Sequence, residues 1–338
     1  MGMRIALCSP WMVRCGIYTY SRNLAEAIAD LGHEVYIVRL PRFGIKTPDL
    51  VRLVAEKFPR DADLFVISHE YGLFHGFEGD FYGELKKLYP DKPLITIMHS
   101  VGNFMVDRVV AEVSRAVIVH NKFCFKRFGY PKKTVIIPHG AKPVKCPPRE
   151  ESKKSLGIDP RIPIVGYCGF ISTYKGLETL IEAMTKIPQA ALLIGGGWHA
   201  GPDTTYITNL KQTSLSLLPG RCQWLGYVPD EKLATVYGAM DVVVYPSRFA
   251  TESGALIMAL SHGKAVIASN VPPFKEKEKV GALMTFKSVN DLRRKIRKLL
   301  KDKSLREKYE KNAWEYAMKT SWKEVAKKHI KLYEEVLS

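Results

Sequence analysis

The stretch RIALCSPWMVRCGIYTYSRNLAEAIADLGHEVYIV, residues 4–38, decides the fold class. Its opening IALC is an unbroken apolar run, as expected of a strand buried on both faces. A loop through Cys15 and Gly16 leads into TYSRNLAEAIADLG, which is apolar at helical spacing and closes at Gly32; EVYIV then reads as a second strand. Two strands joined through a helix make the repeating unit of a parallel sheet.

Outward from this unit the alternation continues. DLFVIS (63–68), PLITIMHS (93–100), AVIVHN (116–121) and TVIIPHG (134–140) read as strands, with a helical pattern over 104–113 and a short basic helix ending at Gly129. AKPVKCPPREESK (141–153) breaks the rhythm with prolines and charges lacking periodicity, so it reads as a linker with the boundary at about 142–152. Beyond it the alternation restarts: strands at IPIVGYCGF, AALLIGGG, CQWLGY, DVVVYPS and AVIAS, and helices at KGLETLIEAM, about 203–215, DEKLATVYGAM and SGALIMALSHG, then a helical tail. The expected class is α/β, two doubly wound parallel-sheet (Rossmann-like) domains over 1–145 and 146–312 facing across a cleft, the natural place for a ligand. Residues 313–338 contain an amphipathic helix, striped by Trp322, Val325, Ile330, Tyr333 and Val336, that either packs on its own domain or crosses back to the first.

Bulk properties narrow the class. With 338 residues, 46% hydrophobic and 25% charged, the chain can bury an ordinary core, which excludes disorder, collagen-like repeats and a disulfide-stapled miniprotein. Lys and Arg number 51 against 34 Asp and Glu, and the net +17 favours phosphate-bearing partners. Nucleic acid is not expected, because no recognition helix or base-stacking motif accompanies the charge. Runs such as RRKIRKLLKDK (293–303) read as solvated helix faces, and the abundance of Lys and Glu is a thermophile-like habit. The six cysteines lie scattered without a C-x-x-C pair and read as reduced thiols. No run approaches the length of a membrane span, the apolar start ends too early at Pro10 for a signal segment, and Ala6 breaks the myristoylation pattern, so a cytoplasmic address is expected. NKFCFKRFGYPKK (121–133) reads as packed aromatics with solvated lysines, or alternatively as a peripheral dock on anionic lipid.

Candidate site residues follow from position. Gly16, between a strand and its helix, lets backbone N–H groups approach a phosphate, and Ser253, Gly254 and Ala255 open another helix in the same way. His99 ends a parallel strand, where ligands bind in this topology, and His69 and Glu70 occupy the equivalent place one unit earlier as acceptor-side candidates. His120 and His139 read as packing groups. The pair Asp61 and Asp63 begins its strand, the wrong end for a ligand, and no H-E-x-x-H, P-loop or G-x-S-x-G occurs, so no metal site is expected.

The motifs GFISTYKGLETLIEAM (169–184), WLGYVPDEKLATVYGAMDVVVYPS (224–247), SGALIMALSHGKAVIAS (253–269), CGIYTYSRNLAEAIADLGHEV (15–35) and IPHG (137–140) together resemble a family 4 glycosyltransferase of the GT-B architecture. The resemblance implies that Lys175 neutralises the diphosphate of a nucleoside diphosphate sugar, that His99 contacts the donor sugar, and that Glu252 could reach that sugar. It implies no cofactor beyond this substrate. Two departures stand out: Phe170 follows Gly169 where the family often has Arg, and Met258 and Ala250 fall where it commonly has two glutamates. A methionine cannot accept the hydrogen bonds of a ribose diol.

The expected activity is a metal-independent, retaining transfer, with a hexose the expected sugar, to a glycan, lipid-linked or small-molecule acceptor. Another enzyme of the same architecture, a sugar-nucleotide epimerase or a phosphorylase, stays open, as does a noncatalytic module that binds glycan or nucleic acid.

Overall fold

The computed structural model describes residues 2–102, 104–197 and 204–338. The chain divides into two compact units, one of 1–140 with 320–338 and one of 141–319.

Unit 1 contains strands β1 (Arg4–Pro10), β2 (Glu34–Leu40), β3 (Leu64–His69), β4 (Leu94–Met98), β5 (Ala116–Val119) and β6 (Thr134–Ile136). Helices α1 (Gly16–Ala29), α2 (Pro48–Ala55), α3 (Glu78–Leu88), α4 (Met105–Val113) and α5 (Lys122–Phe128) alternate with them. The strands form one parallel six-stranded sheet in the order β2-β1-β3-β4-β5-β6. Every residue of β3, β4 and β5 is buried, which is why these segments carry apolar runs instead of alternation. Strand order reverses between β1 and β3, so the loops after these strands border a crevice. A buried hydroxyl chain fixes this point: Ser9 Oγ donates to Ser21 Oγ at 2.8 Å, and Ser21 and Ser68 are 2.8 Å apart.

Unit 2 contains β7 (Ile164–Cys168), β8 (Ala191–Gly195), β9 (Cys222–Gly226), β10 (Val242–Tyr245), β11 (Val266–Ser269) and β12 (Met284–Phe286). Its helices are α6 (Arg149–Ser155), α7 (Leu177–Met184), α8 (Thr205–Leu217), α9 (Asp230–Ala239), α10 (Gly254–Ser261), α11 (Pro272–Lys279), α12 (Val289–Lys301) and α13 (Lys303–Lys319). The parallel sheet runs β12-β11-β10-β7-β8-β9, reversing between β7 and β10. Position 203, where the sequence places the start of the polar helix, lies outside the described residues.

The last helix, α14 (Trp322–Leu337), belongs to unit 1. Trp322, Val325, Ile330 and Tyr333 are buried there with Tyr20 and Leu24 of α1. Gly140 is where the chain leaves this unit: a β-carbon there would come within 2.3 Å of the Trp322 ring, so only glycine admits the indole.

The linker expectation needs correction at its end. Residues from Arg149 form α6, and Lys153 is buried with its ammonium 2.9 Å from Asp241 Oδ2 and 2.8 Å from the Ile162 carbonyl. Arg149 Nε lies 3.2 Å from the other Asp241 oxygen. A buried cation needs such partners, and they make this segment part of unit 2. Among the described residues no helix is long and apolar enough to cross a membrane.

Candidate functional site

In unit 2 the reversal of strand order brings the loops after β7 and β10 side by side. Tyr245, ending β10, donates its hydroxyl to the Ala255 carbonyl at 2.7 Å, with the Cys168 carbonyl 3.0 Å away, bringing the end of β7 to the first turn of α10. Tyr167 donates to the Phe170 carbonyl at 2.6 Å and holds the start of the following loop. That loop ends in a tight turn through Thr173–Lys175, closed by Gly176 at φ 64°, which also caps α7. Any other residue would be strained in this left-handed conformation, and its β-carbon would lie 2.5 Å from the Pro246 carbonyl oxygen. Lys175 is thereby set against the β10 loop. Its ammonium lies 4.7 Å from the centroid of the exposed Tyr174 ring and, among the described residues, has no carboxylate partner.

Ser253 is the N-cap of α10: its buried hydroxyl accepts from Leu256 N–H at 3.3 Å. Gly254 is exposed and Ala255 half-buried at the helix start, so this end can meet an anion through backbone donors. Glu252 is placed differently from the solvent-facing carboxylate that donor contact would require. Both of its oxygens lie within 2.9 Å of Lys277 Nζ, and Oε1 also accepts from Ser253 N–H; the two side chains are only 6% and 4% exposed. Burial acts to lower the Lys277 pKa, but the Glu252 charge outweighs it and the ammonium is held above its ordinary range. This ion pair anchors the loop before α10 on α11.

In unit 1, Gly16 is the exposed first residue of α1, with open space where a β-carbon would project. Across the crevice, Glu70 accepts from Gly72 N–H at 2.8 Å and its pKa is raised chiefly by burial. The Glu70 charge also acts on the Cys15 thiol, whose pKa burial already raises. His69 is wholly buried and stacked on Phe74 at 5.1 Å; neither ring nitrogen has a hydrogen-bond partner among the described residues. Burial depresses it to about 3, so it is neutral at ordinary pH. His99 donates its backbone N–H to the His69 carbonyl at 3.0 Å, setting the two strand ends together. Its ring packs edge-on to Tyr20 at 4.7 Å and 5.5 Å from His120. Burial, and then His120, His139 and His69, hold the His99 pKa well below the usual range, so it too is a neutral hydrogen-bonding group. His120 and His139 bond backbone carbonyls at Ile137 and Gly140. Asp61 pairs with Arg4 at 2.6 Å and Asp63 accepts from Arg4 N–H at 2.7 Å, so both fix the start of β1.

A shallow hollow of about 660 Å³, open to solvent, lies beside Tyr71, lined also by Gly79, Phe104, Met105, Arg108 and Val109. Tyr71 joins it to the strand ends: its hydroxyl donates to Asp107 Oδ1 at 2.6 Å and accepts from Gly102 N–H at 2.9 Å.

The family profile described as glycosyl transferases group 1 matches residues 148–316, nearly all of unit 2. The chain belongs to the glycosyl transferases group 1 family. Over 197 residues it is 29% identical to a D-inositol 3-phosphate glycosyltransferase of Corynebacterium jeikeium, covering 55% of this chain but only 47% of that protein, so it spans about half of that relative's length. An uncharacterized glycosyltransferase of Methanocaldococcus jannaschii is 26% identical over 81% of this chain and 69% of its own. Among solved structures, sucrose-phosphate synthase from Thermosynechococcus elongatus superposes with a TM-score of 0.81 at 23% identity over 99% of both chains. Anabaena HepE in complex with UDP and glucose gives 0.80 at 18% identity over 98% of this chain and 99% of that one. These two likenesses establish the GT-B fold.

Within this glycosyl transferases group 1 chain, unit 2 gathers Lys175, Ser253, Gly254 and Ala255 at one reversal of strand order, while unit 1 gathers Gly16, His69, Glu70 and His99 near its own. Met258 faces the core of unit 2 and Ala250 is buried, so neither supplies a polar group. Arg248 was not singled out from the sequence, because PSR offers no signal until β7 and β10 are known to be neighbours; its backbone N–H donates to the Tyr174 carbonyl at 2.8 Å.

Proposed function

We propose that this family member transfers a sugar, expected to be a hexose, from a nucleoside diphosphate sugar to an acceptor hydroxyl, without a metal and with retention of anomeric configuration. The observation that carries the reading is Lys175: an ammonium without a carboxylate partner among the described residues, on the turn after β7 that packs against the loop leading from β10 to α10. In the transfer, the bond from the anomeric carbon to the diphosphate breaks and a bond to the acceptor oxygen forms. Lys175 and the backbone N–H groups of 254–255 stabilise the charge that builds on the departing diphosphate, as preorganised donors do. The acceptor proton passes to a leaving phosphate oxygen on the same face, so the mechanism needs no separate carboxylate base, in keeping with the internal pairing of Glu252. Neutral His99 suits a hydrogen bond to the sugar better than a charge contact.

The HepE structure is a complex with UDP and glucose, and the Corynebacterium relative is named for D-inositol 3-phosphate. UDP-glucose and a phosphorylated polyol are therefore the first donor and acceptor to offer; glycans and lipid-linked acceptors on the unit 1 side, near Glu70 and the Tyr71 hollow, come next. The test is release of nucleoside diphosphate coupled to a new glycoside, with its anomeric configuration read by NMR. Acceptor-dependent product with the donor's configuration supports the reading. Sugar-nucleotide epimerisation or phosphorolysis without acceptor would replace it.

A further inference from the structure

We infer that Arg248 is a second cation for the donor diphosphate, acting beside Lys175; the inference rests on the donor-site reading above. Its backbone bond to Tyr174 places the residue against the turn that carries Lys175. Its Cγ lies 3.4 Å from where a β-carbon on Gly176 would stand, so the arginine stem crosses directly over this turn. Two cationic residues thus stand on loops that touch, one after β7 and one after β10. Phe170, which follows Gly169 in the loop after β7, supplies none.

The guanidinium is 61% exposed and pairs with Glu178 at 3.4 Å, in an ion pair whose carboxylate is itself 42% exposed. Such pairs are weak and readily exchanged. The other Glu178 oxygen accepts from the Tyr206 hydroxyl at 2.8 Å, whereas Oε2, which faces the guanidinium, makes no hydrogen bond among the described residues, so charge alone holds the arginine there. A planar guanidinium matches phosphate oxygens in a fork, whereas the Lys175 ammonium acts as a point charge. Glu178 holds Arg248 beside this turn, and a diphosphate, with more charge than one carboxylate, draws it away. Together the two cations select two linked phosphates over one.

The test is calorimetric titration of the full chain with UDP, GDP, ADP and dTDP, followed by the monophosphate of whichever binds most tightly. Arg248→Ala should weaken the diphosphate about ten-fold or more, as loss of a charged hydrogen bond does, and change the monophosphate less than about two-fold. Arg248→Lys should recover part of the loss, and Glu178→Gln should tighten the diphosphate by releasing the guanidinium. Because Arg248 is exposed, its variants should keep the wild-type unfolding midpoint. If Lys175→Ala loses the diphosphate while Arg248→Ala binds it like wild type, the inference is overturned and the donor reading stands. Equal losses of mono- and diphosphate in Arg248→Ala would also overturn it, since a structural role does that. If the wild type binds none of the four diphosphates, the donor reading itself falls and takes the inference with it.

Discussion

Lys175 and Glu252 were both charged candidates in the sequence, and their surroundings separate them. Lys175 stands on a turn closed by glycine, without a carboxylate partner among the described residues, whereas Glu252 spends both oxygens on Lys277. Removing the ammonium should therefore cost turnover with little cost in stability: Lys175→Ala should lower kcat about 10²–10³-fold, the scale of a lost oxyanion donor, with an unchanged unfolding midpoint. Glu252→Ala should do the reverse of this in stability, costing about 3–5 kcal/mol in denaturant titration, because it strands a buried ammonium. His69 makes a different prediction. Its pKa falls from 6.5 in the unfolded chain to about 3 on burial, so between these values the unfolded state binds more protons. Stability is then full above about pH 6.5 and is lost progressively as pH falls toward 3, a window set by these two values. His69→Phe should flatten the fall of the unfolding midpoint between pH 7 and 5; an unchanged slope would show that other groups carry it.

At the scale of elements, strands were legible wherever burial on both faces wrote an apolar run, and β1, β3, β4, β7 and β10 sit where IALC, LFVIS, LITIM, IVGYC and VVVY stand. Four elements escaped, among them α3, whose apolar pattern is interrupted by Gly79 and Gly83. In α2 the signals, Thr47 capping Leu50 and Pro48 in the first turn, lie in a short segment between apparent loops. The strand β12 is only Met284–Phe286, too short for any period. In α6 the pair Pro147 and Pro148 read as linker, although Pro148 at the cap with Glu150 and Glu151 in the first turn is also how a helix begins. The C-terminal helix was legible as an amphipathic stripe, but its partner was not, since contact with α1 joins positions some 300 residues apart, as Tyr20 and His329 show at 3.4 Å. Trp322→Ala should cost about 3–5 kcal/mol, the scale for a lost core aromatic. Gly140→Ala should shift the same unfolding transition in the same direction, because its methyl would meet the indole that packs 4.9 Å from Tyr20.

For the whole molecule, the alternation of strands and helices was enough to give two doubly wound sheets, because parallel connections leave few topologies open. The site was legible only in part. Residues announced by motif, Lys175 and Ser253 to Ala255, could be named in advance, whereas Arg248 depends on which strands are neighbours and Glu252 on a lysine 25 positions away. The charge of +17 suits a phosphate-bearing substrate, and the proposed transfer, resting on cationic and backbone donors in unit 2, calls for no divalent ion. Transfer should accordingly proceed undiminished in excess EDTA, and a loss restored by magnesium or manganese would contradict metal independence. The most direct measurement of the central claim is calorimetry of UDP, GDP, ADP, dTDP and their common sugar conjugates with wild type and Lys175→Ala. Selective binding of one nucleotide and its sugar conjugate, weakened in the variant, is the expected result. Equal binding by both proteins, or binding of none, would contradict it.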